Sequence, residues 1–208
     1  MSDTPAAGPD VEPSAEAAIS DAVDRFHPRL TMACSFQKEE SVLLHMLTAV
    51  EPGVSVFTID TGVLFPETLS TWRAFEQRFG LEIERVDASR PGLPWTATRC
   101  CGQAKVDALD QALSGAAAWI TGLRREQAPT RGAVPKLERD GRGLWKVNPL
   151  ADWSERDVWR YINQHDLPYN PLHDRGYASI GCAPCTRPGS GRDGRWAGQD
   201  RTECGIHE

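Results

Sequence analysis

The chain has 208 residues, 40% of them apolar, and a net charge of −6. That length suits one α/β domain with tails, or at most two small domains, and the acidic balance argues against a general nucleic-acid binder. No stretch approaches the roughly 18 apolar residues of a membrane span, and residues 1–18 lack the basic start and apolar run of a signal peptide, so a cytoplasmic protein that does not meet membranes is expected.

In chain order, residues 1–20, rich in Pro, Ala and acidic residues, read as a disordered N-terminal tail. Short apolar runs at 30–34, 54–59, 81–86, 118–121 and 144–147 read as strands. Helical patterns lie between and after them at 39–49, 66–79, 103–113 and 154–164. Pro66 suits a first helical turn, and Ser154 followed by Asp157 marks a helix start. Strands alternating with helices imply a mostly parallel sheet flanked by helices with right-handed crossovers, spanning residues 21–187. Ligands of such sheets bind beyond the carboxyl ends of the strands. Polar motifs follow three of the expected strands, at 35–39, 60–62 and 122–127, so one site is expected at one edge of the sheet. From Pro184 the chain is rich in Gly, Pro and Arg, which predicts a flexible C-terminal tail over 188–208.

Six cysteines in a reducing compartment point to metal binding or thiol chemistry rather than structural disulfides. Cys100 and Cys101 are adjacent, and Cys182 and Cys185 form a C-x-x-C pair. Two such pairs can close around zinc or an iron–sulfur cluster, although C-x-x-C alone also serves as a redox dithiol. Adjacent cysteines diverge in both helix and strand, which suits two irons of one cluster better than one zinc. Cys204 is left over, in a tail whose 19 steps from Cys185 span about 24 Å r.m.s. if flexible. That is enough for a nucleophile to meet a small substrate and then a protein reductant. Glu203 beside it opposes thiolate formation, whereas Arg192, Arg195 or His207 favour it.

Ser35, Phe36, Gln37, Lys38 and Glu39 follow a strand and open a helix, whose N-terminal N–H groups can hold an anion. Arg124 and Gln127 follow another strand, with Arg131 nearby, and arginines suit bidentate contact with phosphate or sulfate. Lys105, four residues after Cys101, is placed to couple the cysteine pair to an anionic substrate.

The chain resembles assimilatory adenylyl-sulfate reductases, in the broader phosphoadenylyl-sulfate reductase family, over residues 25–208. The resemblance rests on Thr58-Ile59-Asp60-Thr61-Gly62, Phe65-Pro66-Glu67-Thr68, Arg99-Cys100-Cys101 with Lys105, and Ile120-Thr121-Gly122-Leu123-Arg124-Arg125-Glu126-Gln127. It continues through Lys146-Val147-Asn148-Pro149-Leu150, Gly181-Cys182-Ala183-Pro184-Cys185-Thr186-Arg187 and Glu203-Cys204-Gly205-Ile206-His207. It implies an adenine nucleotide alpha hydrolase-like, Rossmann-like fold and one [4Fe-4S] cluster per chain on Cys100, Cys101, Cys182 and Cys185. It further implies a substrate pocket from residues 35–39, Asp60, Thr61, Gly62, Lys105, Arg124, Gln127, Arg192, Arg195 and His207, with Cys204 as nucleophile. The activity implied is thioredoxin-dependent reduction of adenylyl-sulfate to sulfite and AMP through an S-sulfocysteine, in sulfate assimilation and cysteine biosynthesis. Reduced thioredoxin or a glutaredoxin-like protein would be the partner, with room for a homo-oligomer. The alternatives are the same reaction on the 3′-phosphorylated substrate, or a zinc-stabilised nucleotide-binding module without catalysis.

Overall fold

The computed structural model describes residues 12–89, 102–196, 203 and 206. Six strands form one sheet in the order β3-β2-β1-β4-β6-β5. They are β1 (Leu30–Ala33), β2 (Ser55–Asp60), β3 (Ile83–Asp87), β4 (Ala118–Ile120), β5 (Leu137–Arg139) and β6 (Trp145–Val147). All neighbours run parallel except β5 and β6. The helices are α1 (Ala15–Phe26), α2 (Lys38–Val50), α3 (Pro66–Phe79), α4 (Gln103–Ala112) and α5 (Glu155–Gln164). Among the described residues, no helix is long and apolar enough to cross a membrane.

The period-2 alternation of the strands builds two cores. Val56, Ala118 and Ile120 join Ile19 of α1, Leu43 and Leu47 of α2, Phe75 of α3 and Ile162 of α5 on one face. Phe57 and Trp119, one residue along, turn to the other face and pack on Ala108 and Leu109 of α4. Helix α2 runs between the sheet and its neighbouring helices, with Val42, Leu43, Leu44 and Leu47 fully buried. The sequence expectation of a mostly parallel, helix-flanked sheet is met, with element ends moved by one or two residues.

Three stretches differ from the sequence reading. Residues 15–20, assigned to a disordered tail, belong to α1. Ser14 caps it by accepting from the Ala17 N–H at 3.2 Å, and its buried stripe is Ala15, Ala18, Ile19 and Ala22. Those side chains are mostly methyl groups, so the stripe carries little hydropathy. Strand β5 was not expected, because Leu137-Glu138-Arg139 has no apolar pattern; it is an edge strand made by antiparallel pairing with β6. The glycine-rich stretch is laid on the body as far as Trp196, which is 1% exposed. The Arg187 N–H donates to the Gly194 carbonyl at 2.8 Å, and the Trp196 N–H to the Cys185 carbonyl at 2.9 Å. A Cβ on Gly194 would lie 2.0 Å from the Arg187 carbonyl oxygen, so that glycine serves close backbone approach rather than looseness. Of the expected tail beyond Trp196, only Glu203 and Ile206 are among the described residues.

Candidate active site

Chain order reverses at β1. The path steps from β1 to β2 and β3 on one side, then crosses to β4 on the other. A crevice must open where the two crossovers part, beyond the carboxyl ends of β1 and β4. The main cavity lies there. Its walls are Cys34 to Gln37, Glu39 and Glu40 after β1, Ile59 and Thr61 at the end of β2, and Thr121 to Leu123, Gln127 and Arg131 after β4. Lys105 and Leu109 of α4 close one side, and Ile180 to Cys182, Arg192, Arg195 and Ile206 the other.

The turn after β1 is tightly specified. Phe36 has φ +60°, which non-glycine residues rarely adopt, and such strained residues concentrate at ligand-binding turns. Its ring is buried and stacks on Trp72 at 5.3 Å. Gln37 caps α2, with its own N–H donating to Glu40 Oε2 at 2.9 Å. Its side-chain oxygen accepts from the Ile180 N–H at 2.8 Å, tying the β1 turn to the opposite wall.

Two adjacent carboxylates lie buried behind this turn in opposite states. Burial would push the Glu39 carboxyl up, but Lys38 and Arg124 overcome that and hold it at about 2. The Arg124 Nε and Nη2 atoms both stand 2.9 Å from Glu39 Oε1, and the Gln127 amide donates to the same oxygen at 3.1 Å. Glu40 is pushed up to about 8 by burial and then by the neighbouring Glu39 charge. Gly122 is pressed against both: a Cβ there would lie 2.8 Å from Glu40 Oε1 and 2.9 Å from Glu39 Cβ.

The residues expected at the site fall into three groups. Ser35, Phe36, Gln37, Glu39, Thr61, Lys105, Gln127, Cys182, Arg192 and Arg195 all line the crevice. Lys38, Asp60, Gly62, Arg124 and Cys185 stand behind its walls. Lys38 is 3% exposed, donates to the Ala178 carbonyl at 3.0 Å and lies 3.5 Å from Glu155. Asp60 accepts from the Gly62 N–H at 2.8 Å and from Arg85 at 2.7 Å, which fixes the turn that Gly62 (φ +73°) makes. Arg124 is buried, faces an adjoining smaller hollow and is consumed by Glu39, the Trp153 carbonyl and Glu126. Cys100, Cys101, Cys204 and His207 form the third group, outside the described residues.

Glu40 and Glu203 have structural roles that the sequence did not suggest, and Arg131 drew notice only as a nearby arginine. Glu40 had no signal apart from following Glu39. Arg131 lies four residues past Gln127, and its Nη1 donates to Gln127 Oε1 at 2.5 Å. Its other nitrogens grip Glu203, Nε to Oε1 at 2.8 Å and Nη2 to Oε2 at 2.7 Å.

Cys182 and Cys185 sit on one 3-10 turn (Ala183–Cys185 with Cys182 as its cap) and are 3% and 5% exposed. They cluster with Trp196, against which Val63 and Ile206 pack, and the Cys182 Sγ stands 3.1 Å from the Thr61 hydroxyl. Among the described residues, no three His, Cys, Asp or Glu side chains gather as a metal cage. Two buried sulfurs on one turn, Cys182 at the crevice wall and Cys185 behind it, fit half of a four-thiolate cluster site whose other half would be Cys100 and Cys101.

The family model described as the phosphoadenosine phosphosulfate reductase domain matches residues 29–188. A protein from Salinibacter ruber named adenosine 5′-phosphosulfate reductase is 40% identical over 209 residues, covering 92% of this chain and 83% of that one. A Gloeobacter violaceus protein named phosphoadenosine 5′-phosphosulfate reductase is 42% identical, covering 92% and 88%. Among solved structures, phosphoadenylyl-sulfate reductase from Candida auris, a phosphate complex, superposes with TM-score 0.73 at 27% identity, covering 85% of this chain and 91% of that one.

Proposed function

Because the chain belongs to the phosphoadenosine phosphosulfate reductase family, we propose that it is an oxidoreductase that converts adenylyl-sulfate to sulfite and AMP, with Cys204 as nucleophile. The observation that carries this reading is the crevice at the strand switch point, which brings Lys105, Arg131, Arg192 and Arg195 around one opening. Four cations there suit a nucleotide bearing adjacent phosphate and sulfate groups. Glu203, joined to Cys204 by one peptide bond, is anchored on two of those arginines.

In the first step the Cys204 thiolate attacks the sulfur of the sulfate group. A sulfur–sulfur bond forms, the bond from that sulfur to the phosphate oxygen breaks, and AMP leaves with the electron pair. Arginine N–H groups stabilise the charge growing on the departing phosphate. In the second step a thiolate of a reduced thioredoxin-like dithiol attacks the Cys204 sulfur and sulfite departs. The second thiol of the pair then closes a disulfide and regenerates Cys204, so the dithiol supplies the two electrons that the sulfate sulfur gains. The reading includes a role in sulfate assimilation and a cytoplasmic setting.

Cys100, Cys101, Cys182 and Cys185 would hold a [4Fe-4S] cluster. When bound, it would supply a local charge beside the crevice, held by those four thiolates. By the resemblance, the four-cysteine set looks like the cluster-bearing branch of the family, which prefers adenylyl-sulfate over its 3′-phosphorylated form.

Intact-protein mass spectrometry tests the reading. Protein given adenylyl-sulfate without reductant should gain about 80 Da, the mass of one sulfonate, on the Cys204 peptide. Reduced thioredoxin should remove it and release sulfite, and Cys204→Ser should never acquire it. An adduct on another cysteine, or turnover by Cys204→Ser, would refute the assignment. A colourless protein without iron would remove the cluster while leaving the thiol chemistry standing.

A further inference from the structure

Gln37 lines the crevice, yet its side chain is committed to other parts of the protein. The amide is engaged at both ends. Nε2 donates to Ser35 Oγ at 3.3 Å, and Oε1 accepts from the Ile180 N–H at 2.8 Å and from the Ser179 hydroxyl at 3.3 Å. The Ile180 N–H can only donate, so it fixes which end of the amide faces the 178–180 stretch. Ser179 has one proton to give. With that proton on Gln37, its oxygen is an acceptor, and Arg195 Nη1 donates to it at 3.2 Å and to the Ile180 carbonyl at 3.1 Å. Hydrogen bonds with one consistent direction therefore run from Arg195 through Ser179 and Gln37 to Ser35, and they cross the crevice from one wall to the other.

Arg195 is confined on its faces as well. The residue is 9% exposed, and its guanidinium carbon lies 4.6 Å from the centroid of the Trp196 ring. Gly181 is pressed against the group: a Cβ there would lie 2.5 Å from Nη2 and 2.6 Å from Cζ. Nη1 thus carries the hydrogen bonds that set where the group sits, while Nε is buried without a hydrogen-bond partner among the described residues. A buried unpaired donor on a residue that lines the crevice is where a ligand oxygen gains a charge-assisted bond. Lys38 Nζ also holds this stretch, through the Ala178 carbonyl at 3.0 Å, so the 178–180 segment stays attached to α2 when Gln37 is changed.

We propose that Gln37 is a positioning residue that acts through Arg195: by holding Ser179 and Ile180 it fixes the partners of Arg195 Nη1, and with them the donor edge that Arg195 offers to an anionic group of the nucleotide. The proposal rests on the reading of the crevice as a nucleotide site. It assigns Gln37 no contact with phosphate or sulfate. The turn after β1 and the arginine on the opposite wall become one unit, joined across 142 residues of chain at Ser179.

A double-mutant cycle tests it. Gln37→Met keeps the length of the side chain and removes its acceptor and donor, and Ser179→Ala breaks the same path one link further on. Each is made in Cys204→Ser, so that nothing turns over, and again with Arg195→Ala added. Adenylyl-sulfate affinity is then measured by calorimetry on the full chain. Each change should weaken binding about tenfold with Arg195 present and less than about twofold without it. A residue that merely supported the fold would weaken binding equally in both backgrounds; that result, or binding unchanged by either variant, would overturn the proposal. In ligand-free protein, modification of Arg195 by phenylglyoxal, followed on its peptide, should be several-fold faster in both variants than in the parent, and equal rates would also overturn it. Urea unfolding identifies a variant that does not fold, and the other link then carries the test. If the Cys204→Ser parent binds neither adenylyl-sulfate nor AMP, the functional reading fails instead, and the modification rate still decides whether Gln37 holds Arg195 in place.

Discussion

Glu40→Gln isolates one charge with a calculable pH signature. The Glu40 carboxyl is fully buried beside ionised Glu39 and sits at about 8, against an ordinary value of 4.5. Below pH 4.5 both folded and unfolded chains carry the proton, and the residue contributes its full share of stability. Between 4.5 and 8 the unfolded chain gives up the proton while the folded chain keeps it, so stability falls by about 1.4 kcal/mol per pH unit from this group. From pH 5 to pH 7 that amounts to about 3 kcal/mol, lost in full above pH 8. Glutamine keeps an oxygen to accept the Gln37 N–H, so the cap of α2 survives. Urea unfolding of both proteins at pH 5, 7 and 8.5 measures the difference. The variant should equal the parent within about 1 kcal/mol at pH 5 and exceed it by about 2–4 kcal/mol at pH 8.5. A difference that stays constant with pH, or reverses sign at high pH, would show that Glu40 ionises freely in the folded state.

Arg124→Ala should destabilise the fold by about 3–5 kcal/mol, because it leaves Glu39 buried with less compensation; thermal melts check this, and a loss below about 1 kcal/mol would show that water can reach Glu39. Gly194→Ala should cost about 2–4 kcal/mol, since the new methyl meets the Arg187 carbonyl oxygen, and it should raise amide exchange at Trp196 more than at α2.

Short apolar runs and helix-like spacing carried the fold, since a strand buried on both faces, as Val56 and Phe57 show, is apolar at successive residues. They failed where pairing or capping outweighs side-chain pattern. Strand β5 takes its conformation from β6, and α1 buries methyl groups whose hydropathy is small beside its acidic surroundings. The crevice was legible as residue types, because arginines after a strand point to an anion and paired cysteines to metal or thiol chemistry. Their division of labour was not legible. Arg124 and Arg131 look alike in sequence; one is buried on Glu39, while the other reaches the crevice and Glu203. That choice follows from which carboxylate each guanidinium meets across 85 and 72 residues of chain. Glu39 and Glu40 differ only in which one the cations reach.

The fit of Gly122 against α2 makes the crevice a vice with one fixed jaw. Backbone at the end of β4 abuts the carboxylate-bearing first turn of α2, so that face cannot spread without breaking the Glu39 network or moving a strand. The opposing jaw, from Ile180 to Trp196, is held by loop hydrogen bonds and by the Gln37 tie to the Ile180 N–H. Adjustment to ligands of different bulk is therefore confined to the second jaw. Substitutions along 180–196 should retune which nucleotide fits, whereas those around Gly122 should decide whether there is a crevice at all.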